Sequence, residues 1–439
     1  MAWTPVRTLE ETEAILCAPG HMHEVETIFL DGRPQRIYKN LWPSTRSLWL
    51  SSVQKYRHKT YIVFGDRRCT YNEVHQRAIK VAALFRHVYD IKKGDRIGIC
   101  SRNNPEYLIS FWASHLLGAV PVLTNAWLPL EPLRHCLLHT DCKLILLDQE
   151  RADRLAPAVF DLLRDTPVTG FLVFDDQNDE RVWQGMSSFH RALQNYRGGV
   201  EDVLAVDPKI MPEDNAVIMF TSGTTGLPKG VLSTQRQFLS NILNVTVGGL
   251  RASLRRGEDY PDFNMNEEPQ KGILVAVPLF HVTGTTSFSM MATATGMKIV
   301  LMSKWVVEDA VRLIQQENVR VAGGVPAMVA DLTESSLAGH SLDGLLFGGS
   351  PAPDSLVPRA RAAFPTAVMI QGYGLTETNS IAVSFAGEDY TARPTSTGRA
   401  SPVNEIKIVH NGVVMPPGNV GEVWLYVNLV VIQATKPTQ

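Results

Sequence analysis

Residues 216–230 read AVIMFTSGTTGLPKG. An apolar run, Ala216–Phe220, ends at Thr221 and gives way to a ten-residue stretch with three glycines, three threonines, a serine and a lysine. The apolar run has the length and composition of a buried strand. Gly223, Gly226 and Gly230 let the backbone approach an anion without Cβ clashes. Successive N–H groups in such a turn form an anion nest. Thr221, Ser222, Thr224 and Thr225 add hydroxyl donors, and Lys229 adds a mobile positive charge. The stretch therefore reads as a phosphate-holding loop. It fails the GxxxxGK[ST] pattern, because Gly230 follows Lys229 where that pattern needs Ser or Thr. A P-loop kinase or ATPase is disfavoured. A plain surface turn is the competing reading, and the density of donors straight after a buried strand weighs against it.

Outward from the loop, short apolar runs alternate with helical periodicity. TYNEVHQRAIKVAALFRHVY (70–89) and PEYLISFWASHLLG (105–118) are expected helices. RIGIC (96–100), AVPVLT (119–124) and CKLILLD (142–148) are expected strands, with a helix near PLRHCLLHT. After the loop QRQFLSNILNV is expected to be helical, and the charged stretch 251–272 a surface loop. The alternation resumes with strands at ILVAVPLF (273–280), KIVLM (298–302), VRVAGGVP (319–326), LLFGG (345–349) and AVMIQGYG (367–374). This is the texture of βαβ units and parallel sheets. From about residue 398 the pattern alternates apolar and polar residues between Gly/Pro turns, which predicts short antiparallel strands. The expected fold is α/β: two packed, mostly parallel βαβ subdomains (1–200 and 201–397) plus a partial antiparallel, barrel-like subdomain over 398–439.

The 439 residues carry 42 Lys and Arg against 44 Asp and Glu. That balance gives no reason to expect nucleic acid or an acidic membrane as partner. The five cysteines are scattered without a CxxC pair, which fits reduced thiols in a cytoplasmic protein and argues against a zinc site. The peroxisome is a second location, although the terminal KPTQ carries no address signal. The acidic N-terminal stretch does not read as a signal peptide. LISFWASHLLGAVPVL (108–123) is interrupted by Ser110, Ser114 and His115, so a buried helix running into a strand is expected and stable membrane insertion is not.

Three further motifs could carry chemistry. FHVTGTT (280–286) puts His281 after an apolar strand, where open parallel sheets bind ligands; a structural histidine is the alternative. LLFGGSPAP (345–353) lets a flat ligand approach Gly348, Gly349 and Ser350. It is not GxSxG, since Ala352 stands at the last position, so a serine hydrolase is disfavoured. QGYGLTET (371–378) offers Tyr373 for stacking, Thr376 as a phosphate donor and Glu377 as a Mg²⁺ ligand. A helix N-cap at Thr376 accounts for the same residues, and both readings stand.

In this order the motifs resemble the adenylate-forming superfamily of acyl-CoA synthetases, luciferases and peptide-synthetase adenylation domains. TSGTTGLPKG is similar to that family's phosphate loop, and FH, GGSPAP and QGYGLTET to its later core motifs. The resemblance runs from about residue 40 to about 426. GAVPVLTNAWLP (118–129) and GEDYTARPTSTGR (387–399) look more like fatty-acyl-CoA ligases than amino-acid-activating domains. The resemblance implies that a carboxylic acid reacts with ATP to give an acyl-adenylate and pyrophosphate, after which coenzyme A displaces AMP. It implies that Thr221, Ser222, Gly223, Thr224, Thr225, Gly226 and Lys229 hold the β- and γ-phosphates. Thr376 contacts the α-phosphate and Glu377 holds Mg²⁺. Tyr373, with Gly348, Gly349, Ser350, Gln371, Gly372 and Gly374, flanks the adenine, and His281 sits beside the acyl carboxylate. The family continues past this chain's last residues with a ribose-binding Asp and a small C-terminal domain that bears a catalytic lysine. The expectation is therefore a large domain whose activity is impaired without that lid. A non-catalytic ATP- or acyl-binding remnant is the alternative.

Overall fold

The computed structural model describes residues 3–30, 32–175, 181–221, 226–261, 269–426 and 432–433. Two compact units emerge, each assembled from separate stretches of chain. The first holds 1–41, 239–274 and 306–430; the second holds 42–238, 275–305 and 431–439.

The second unit contains a sheet in the order 432–433, 229–234, 215–221, 120–123, 96–100, 142–148, 170–174, 187–188. Asn215–Thr221 lies parallel to Val120–Leu123, and Arg96–Cys100 lies parallel to both Val120–Leu123 and Cys142–Asp148. The next strand after Arg96–Cys100 is therefore laid on one side of it and the following strand on the other. This reversal is a topological switch point, and ligands of open parallel sheets bind beyond the strand ends at such points. The helix Pro105–Leu117 connects the first two of these strands. It has Pro105 in its first turn, Asn104 as N-cap accepting from the Tyr107 N–H at 2.8 Å, and left-handed Gly118 as stop. Every residue of that helix is buried, which is why its apolar residues show no one-sided stripe. Val122, Leu137, Ile145, Leu147, Leu155, Leu162 and Val173, from the strands and other helices of this unit, form a continuous core. A smaller set of strands in this unit pairs Lys298–Leu301 in parallel with Thr60–Phe64, and Thr60–Phe64 antiparallel with Arg67–Thr70.

In the first unit the strands run in the order 399–400, 380–386, 368–375, 344–348, 319–324, with 272–275 beyond. Helices Val307–Gln316, Pro326–Glu334 and Leu356–Ala363 alternate with the parallel members, as in βαβ units. Three short strands, Glu405–His410, Val413–Val414 and Glu422–Tyr426, form the small antiparallel sheet at the C-terminal side of the chain. The architecture is thus mixed α/β with parallel-rich sheets and a small antiparallel sheet, as the sequence pattern implies.

Two local expectations change. The strand expected over 273–280 ends at Val275. Pro278 has no N–H for a ladder, and the Asn103 amide takes the carbonyls of Val275 and Val277 instead. The surface loop expected from residue 251 begins later, because the helix Gln235–Arg255 runs through Arg251. Val247, Leu250 and Leu254 on that helix pack with Leu16. The stretch QRQFLSNILNV is helical as expected, at the start of Gln235–Arg255. A strand, Lys229–Thr234, intervenes between the phosphate loop and this helix and folds back on Asn215–Thr221.

Candidate adenylation site

The expected site residues divide between the two units, and each group is described by itself. In the second unit Thr221 and Lys229 stand directly opposite one another as the last ladder pair of the antiparallel hairpin. Lys229 is exposed and makes no ion pair among the described residues. Gly226 is also exposed, whereas Ser222, Gly223, Thr224 and Thr225 lie outside the described residues. The ladder rather than a helix terminus therefore sets the mouth of this loop.

His281 stands at the entry to a π-helix, Thr283–Met290. Wide-turned helical segments are rare, and those that occur are frequently at functional sites. The entry is tied down from three directions. The His281 N–H donates to the Pro278 carbonyl at 3.1 Å, and the Thr285 N–H donates to the His281 carbonyl at 3.1 Å. The Thr285 hydroxyl donates to the Leu279 carbonyl. A Cβ on Gly284 would stand 2.2 Å from the Pro278 carbonyl oxygen, so only glycine allows this close approach.

Asn103 holds the same turn from below. Its side chain is buried just past the strand at the switch point. Its Nδ2 faces the carbonyls of Val277 (2.9 Å), Met302 (3.1 Å) and Val275 (3.4 Å), and its Oδ1 accepts from the Leu279 N–H at 2.8 Å. Sequence reasoning missed Asn103. It sits in RNNPEY, where Asn104 reads as an ordinary helix cap and nothing marks its neighbour.

The His281 side chain reaches solvent yet is ringed by protein, and the lost hydration lowers its pKa below the ordinary 6.5. At neutral pH the imidazole is therefore uncharged. Its Nδ1 accepts from the Thr283 N–H at 3.3 Å, which assigns the proton to Nε2. The ring thus presents a neutral N–H donor. Phe280, next to it, packs edge-on against Trp127 with ring centres 5.2 Å apart.

In the first unit the remaining candidates meet at the carboxyl ends of parallel strands. Gly348 and Gly372 are register partners, so Gly349 and Ser350 follow one strand end while Tyr373 and Gly374 follow the next. Gln371 is buried, with its Oε1 unpartnered among the described residues. Gly323 and Gly324 end the neighbouring strand and join this glycine-rich edge. They too were not singled out beforehand, because VRVAGGVP reads as an ordinary strand.

Strand Val368–Leu375 then turns back into Ser380–Ala386 through a single 3-10 turn, Thr376–Thr378. Thr376 is not a helix cap. The side chain that ties the turn is Thr378, which accepts from the Leu375 N–H (2.8 Å) and donates to the Ser380 carbonyl (2.7 Å). A Cβ on Gly374 would stand 1.5 Å from the Ser380 carbonyl oxygen. Behind the turn, Asn241 and Asn244 donate to the Ile381 carbonyl at 3.1 and 3.3 Å, and the Tyr38 hydroxyl bonds Asn244 at 2.8 Å. Thr376 and Glu377 are half-buried, and neither side chain makes an ion pair or hydrogen bond among the described residues.

The model of the AMP-binding enzyme family matches residues 50–430. The chain belongs to the AMP-binding enzyme family. Relatives of this AMP-binding protein include 4-coumarate-CoA ligase 2 of Narcissus pseudonarcissus, 26% identical over 87% of the chain and 66% of that protein. The 2-succinylbenzoate–CoA ligase of Bacillus licheniformis is 28% identical over 82% of the chain and 66% of that protein. The chain spans about two-thirds or less of the length of the curated relatives it matches, down to 58% for 4-coumarate–CoA ligase 1 of Arabidopsis thaliana. The fold matches the inhibitor-bound N-terminal domain of FACL13 from Mycobacterium tuberculosis, with a TM-score of 0.74, 22% identity, and coverage of 89% of this chain and 90% of that one. It also matches Bacillus subtilis o-succinylbenzoate CoA synthetase in complex with its acyl-adenylate intermediate, with a TM-score of 0.66, 23% identity, and coverage of 88% and 70%. Within the AMP-binding family these relatives are acid–thiol ligases, the reaction class that the sequence resemblance implies. Among the described residues no helix is long and apolar enough to cross a membrane.

Proposed function

We propose that this protein activates a carboxylic acid with ATP as an acyl-adenylate and passes the acyl group to coenzyme A. The observation that carries the reading is the 375–380 turn. It is tied internally by Thr378 and braced by two asparagines, while Thr376 and Glu377 are left uncommitted. A structural turn has no need of two unpaired polar side chains held in place.

In the first step a carboxylate oxygen attacks the α-phosphorus. A new P–O bond forms, the bond to the β-phosphate bridging oxygen breaks, and pyrophosphate leaves. Bringing an anion to a polyanion is limited by charge and position, and fixed donors supply both. In this reading the Thr376 hydroxyl donates to the α-phosphate. Lys229, Thr221, Gly226 and residues 222–225 cradle the β- and γ-phosphates. Tyr373 lies against the adenine with Gly348, Gly349, Ser350, Gln371, Gly372 and Gly374. The neutral His281 donates from Nε2 to the acid's carboxyl and adds no positive charge there that would weaken the nucleophile.

Glu377 fits Mg²⁺. Magnesium bound to nucleotides takes one or two protein carboxylates and fills its shell from phosphates and water. A single uncommitted carboxylate beside Thr376 is that arrangement, and among the described residues no cluster of three or more metal-ligating side chains competes with it. When bound, the ion neutralises phosphate charge.

We keep a fatty acid as the substrate, on the sequence likeness of 118–129 and 387–399 to fatty-acyl-CoA ligases. The second reading is an aryl acid, favoured by the names of the relatives. Trapping the activated acyl group as hydroxamate across straight-chain and aromatic acids separates them. A product rising with chain length at about 0.8 kcal/mol of binding per buried methylene supports the first. Turnover confined to aromatic acids moves the assignment to the second, and no hydroxamate from any acid overturns the function.

A further inference from the structure

A cavity of about 270 Å³ in the first unit is lined by Arg251, Arg255, Arg393, Arg399, Asp389 and Ser384 among others. None of these residues belongs to the phosphate loop, the His281 turn or the 371–378 motif. Four guanidinium groups at one small cavity repel each other unless anions answer them. Two carboxylates do so. Arg251 is held by Glu13 at 2.5 and 3.0 Å and by the Ala400 carbonyl at 2.9 Å. Arg255 grips Asp389, which also accepts from Trp3 at 3.2 Å. Arg393 is largely exposed, reaches Asp389 only at 3.5 Å, and lies over the Phe385 ring. Arg399 is exposed and makes no ion pair among the described residues. Two positive charges are left over.

The wall also holds two buried groups without a partner among the described residues, Arg251 Nη1 and the Ser384 hydroxyl. Ser384 is 2% exposed. Leaving such groups unanswered costs stability, and buried polar atoms nearly always find a partner. A serine hydroxyl also changes direction by one rotation about χ1. Excess guanidinium charge, unspent donors and a small cavity together describe an oxyanion site.

We propose that this cavity binds a phosphate group, either free orthophosphate or a phosphomonoester. Arg399, Arg393 and Arg251 donate to its oxygens and Ser384 completes the shell. The site has a structural reach. Ser384 is the register partner of Gly372, so an anion held there pins the same pair of strands that carries Tyr373, Thr376 and Glu377. The inference does not depend on the proposed function.

The test is calorimetric titration of the full chain with sodium phosphate at fixed ionic strength. A Lys229→Ala background weakens phosphate capture by the loop. The expected result is saturable binding of about one phosphate per chain, at least tenfold tighter than chloride at the same site. Arg399→Gln with Ser384→Ala should weaken it at least tenfold. Neither side chain has a partner among the described residues, so the unfolding midpoint in phosphate-free buffer should not move; Arg393→Gln is the independent second variant. No saturable heat in the Lys229→Ala protein, or binding unaltered by either set of substitutions, overturns the proposal. Glycerol 3-phosphate binding tighter than orthophosphate assigns a carried phosphate group, and the reverse assigns the free ion.

Discussion

A half-buried carboxylate with no partner among the described residues adds little to the fold, so Glu377 separates stability from chemistry. Glu377→Gln keeps the size and loses the charge. We expect pyrophosphate release to fall about a hundredfold, which is roughly 2.7 kcal/mol of transition-state stabilisation, with a raised Mg²⁺ requirement and an unchanged unfolding midpoint. A parallel loss of stability would mean that Glu377 serves the fold. His115 makes the opposite case. It is fully buried on the helix Pro105–Leu117, and neither ring nitrogen has a partner among the described residues. Phe111 and Phe238 rings surround it. Burial drives its pKa down to about 3. His115→Leu replaces an unanswered polar ring by an apolar group, and the expected change in urea stability is zero or a gain. A loss above about 1 kcal/mol would point to an unseen partner.

At the scale of elements, the fold holds two short turns where chemistry is expected, and each depends on a close approach or a single amide. Gly374→Ala drives a Cβ into the Ser380 carbonyl. The turn must open, and acid-dependent pyrophosphate release should drop by more than tenfold while the rest of the fold survives. Asn103→Ala strips the His281 turn of the amide that holds its Leu279 N–H and its carbonyls. A loss of about 2–4 kcal/mol is expected by urea unfolding, with a rise in the KM for the acid if His281 shifts. These turns also show what the sequence could not announce. Strands at 96–100, 142–148 and 215–221 follow from apolar runs between turn residues, and so do the helices between them. Asn103 gains its meaning only from carbonyls more than 170 residues away, which no local pattern records. The strand Lys229–Thr234 was hidden for a related reason. A glycine-rich loop after a strand is usually followed by a helix, and the antiparallel return shows only in pairing with Met219 and Ile218.

For the whole molecule, acid should be the weak side. His23, His75 and His115 are buried and held neutral, with pKa values pushed down to about 4, about 4 and about 3 by lost hydration. Trp49 donates to His75 Nδ1 at 3.1 Å, which suits a neutral ring. Below pH 6.5 the unfolded chain binds protons that the folded chain refuses, so stability falls as the pH falls. The contribution is fully present above 6.5 and is lost progressively between 6.5 and about 4 for His23 and His75, and down to about 3 for His115. A histidine lowered from 6.5 to about 4 corresponds to roughly 3 kcal/mol at 1.36 kcal/mol per pH unit. Urea midpoints measured from pH 8 to pH 4 should be flat at first and then drop, and His115→Leu should lessen the drop. A flat profile to pH 4 would contradict the burial of these rings. The α/β architecture and the small antiparallel sheet were legible from periodicity and turns. The assembly of each unit from separate stretches was not, because contacts such as His23 with Leu243 leave no trace in local composition.

In the function proposed, this chain joins a carboxylic acid to the α-phosphate of ATP through Thr376 and Glu377. Acid-dependent exchange of labelled pyrophosphate into ATP reads that step alone, without coenzyme A. The expected result is exchange that requires both an acid and Mg²⁺ and falls about a hundredfold in Glu377→Gln. Exchange that is absent with every acid tried, or that is unchanged in Glu377→Gln, would contradict it.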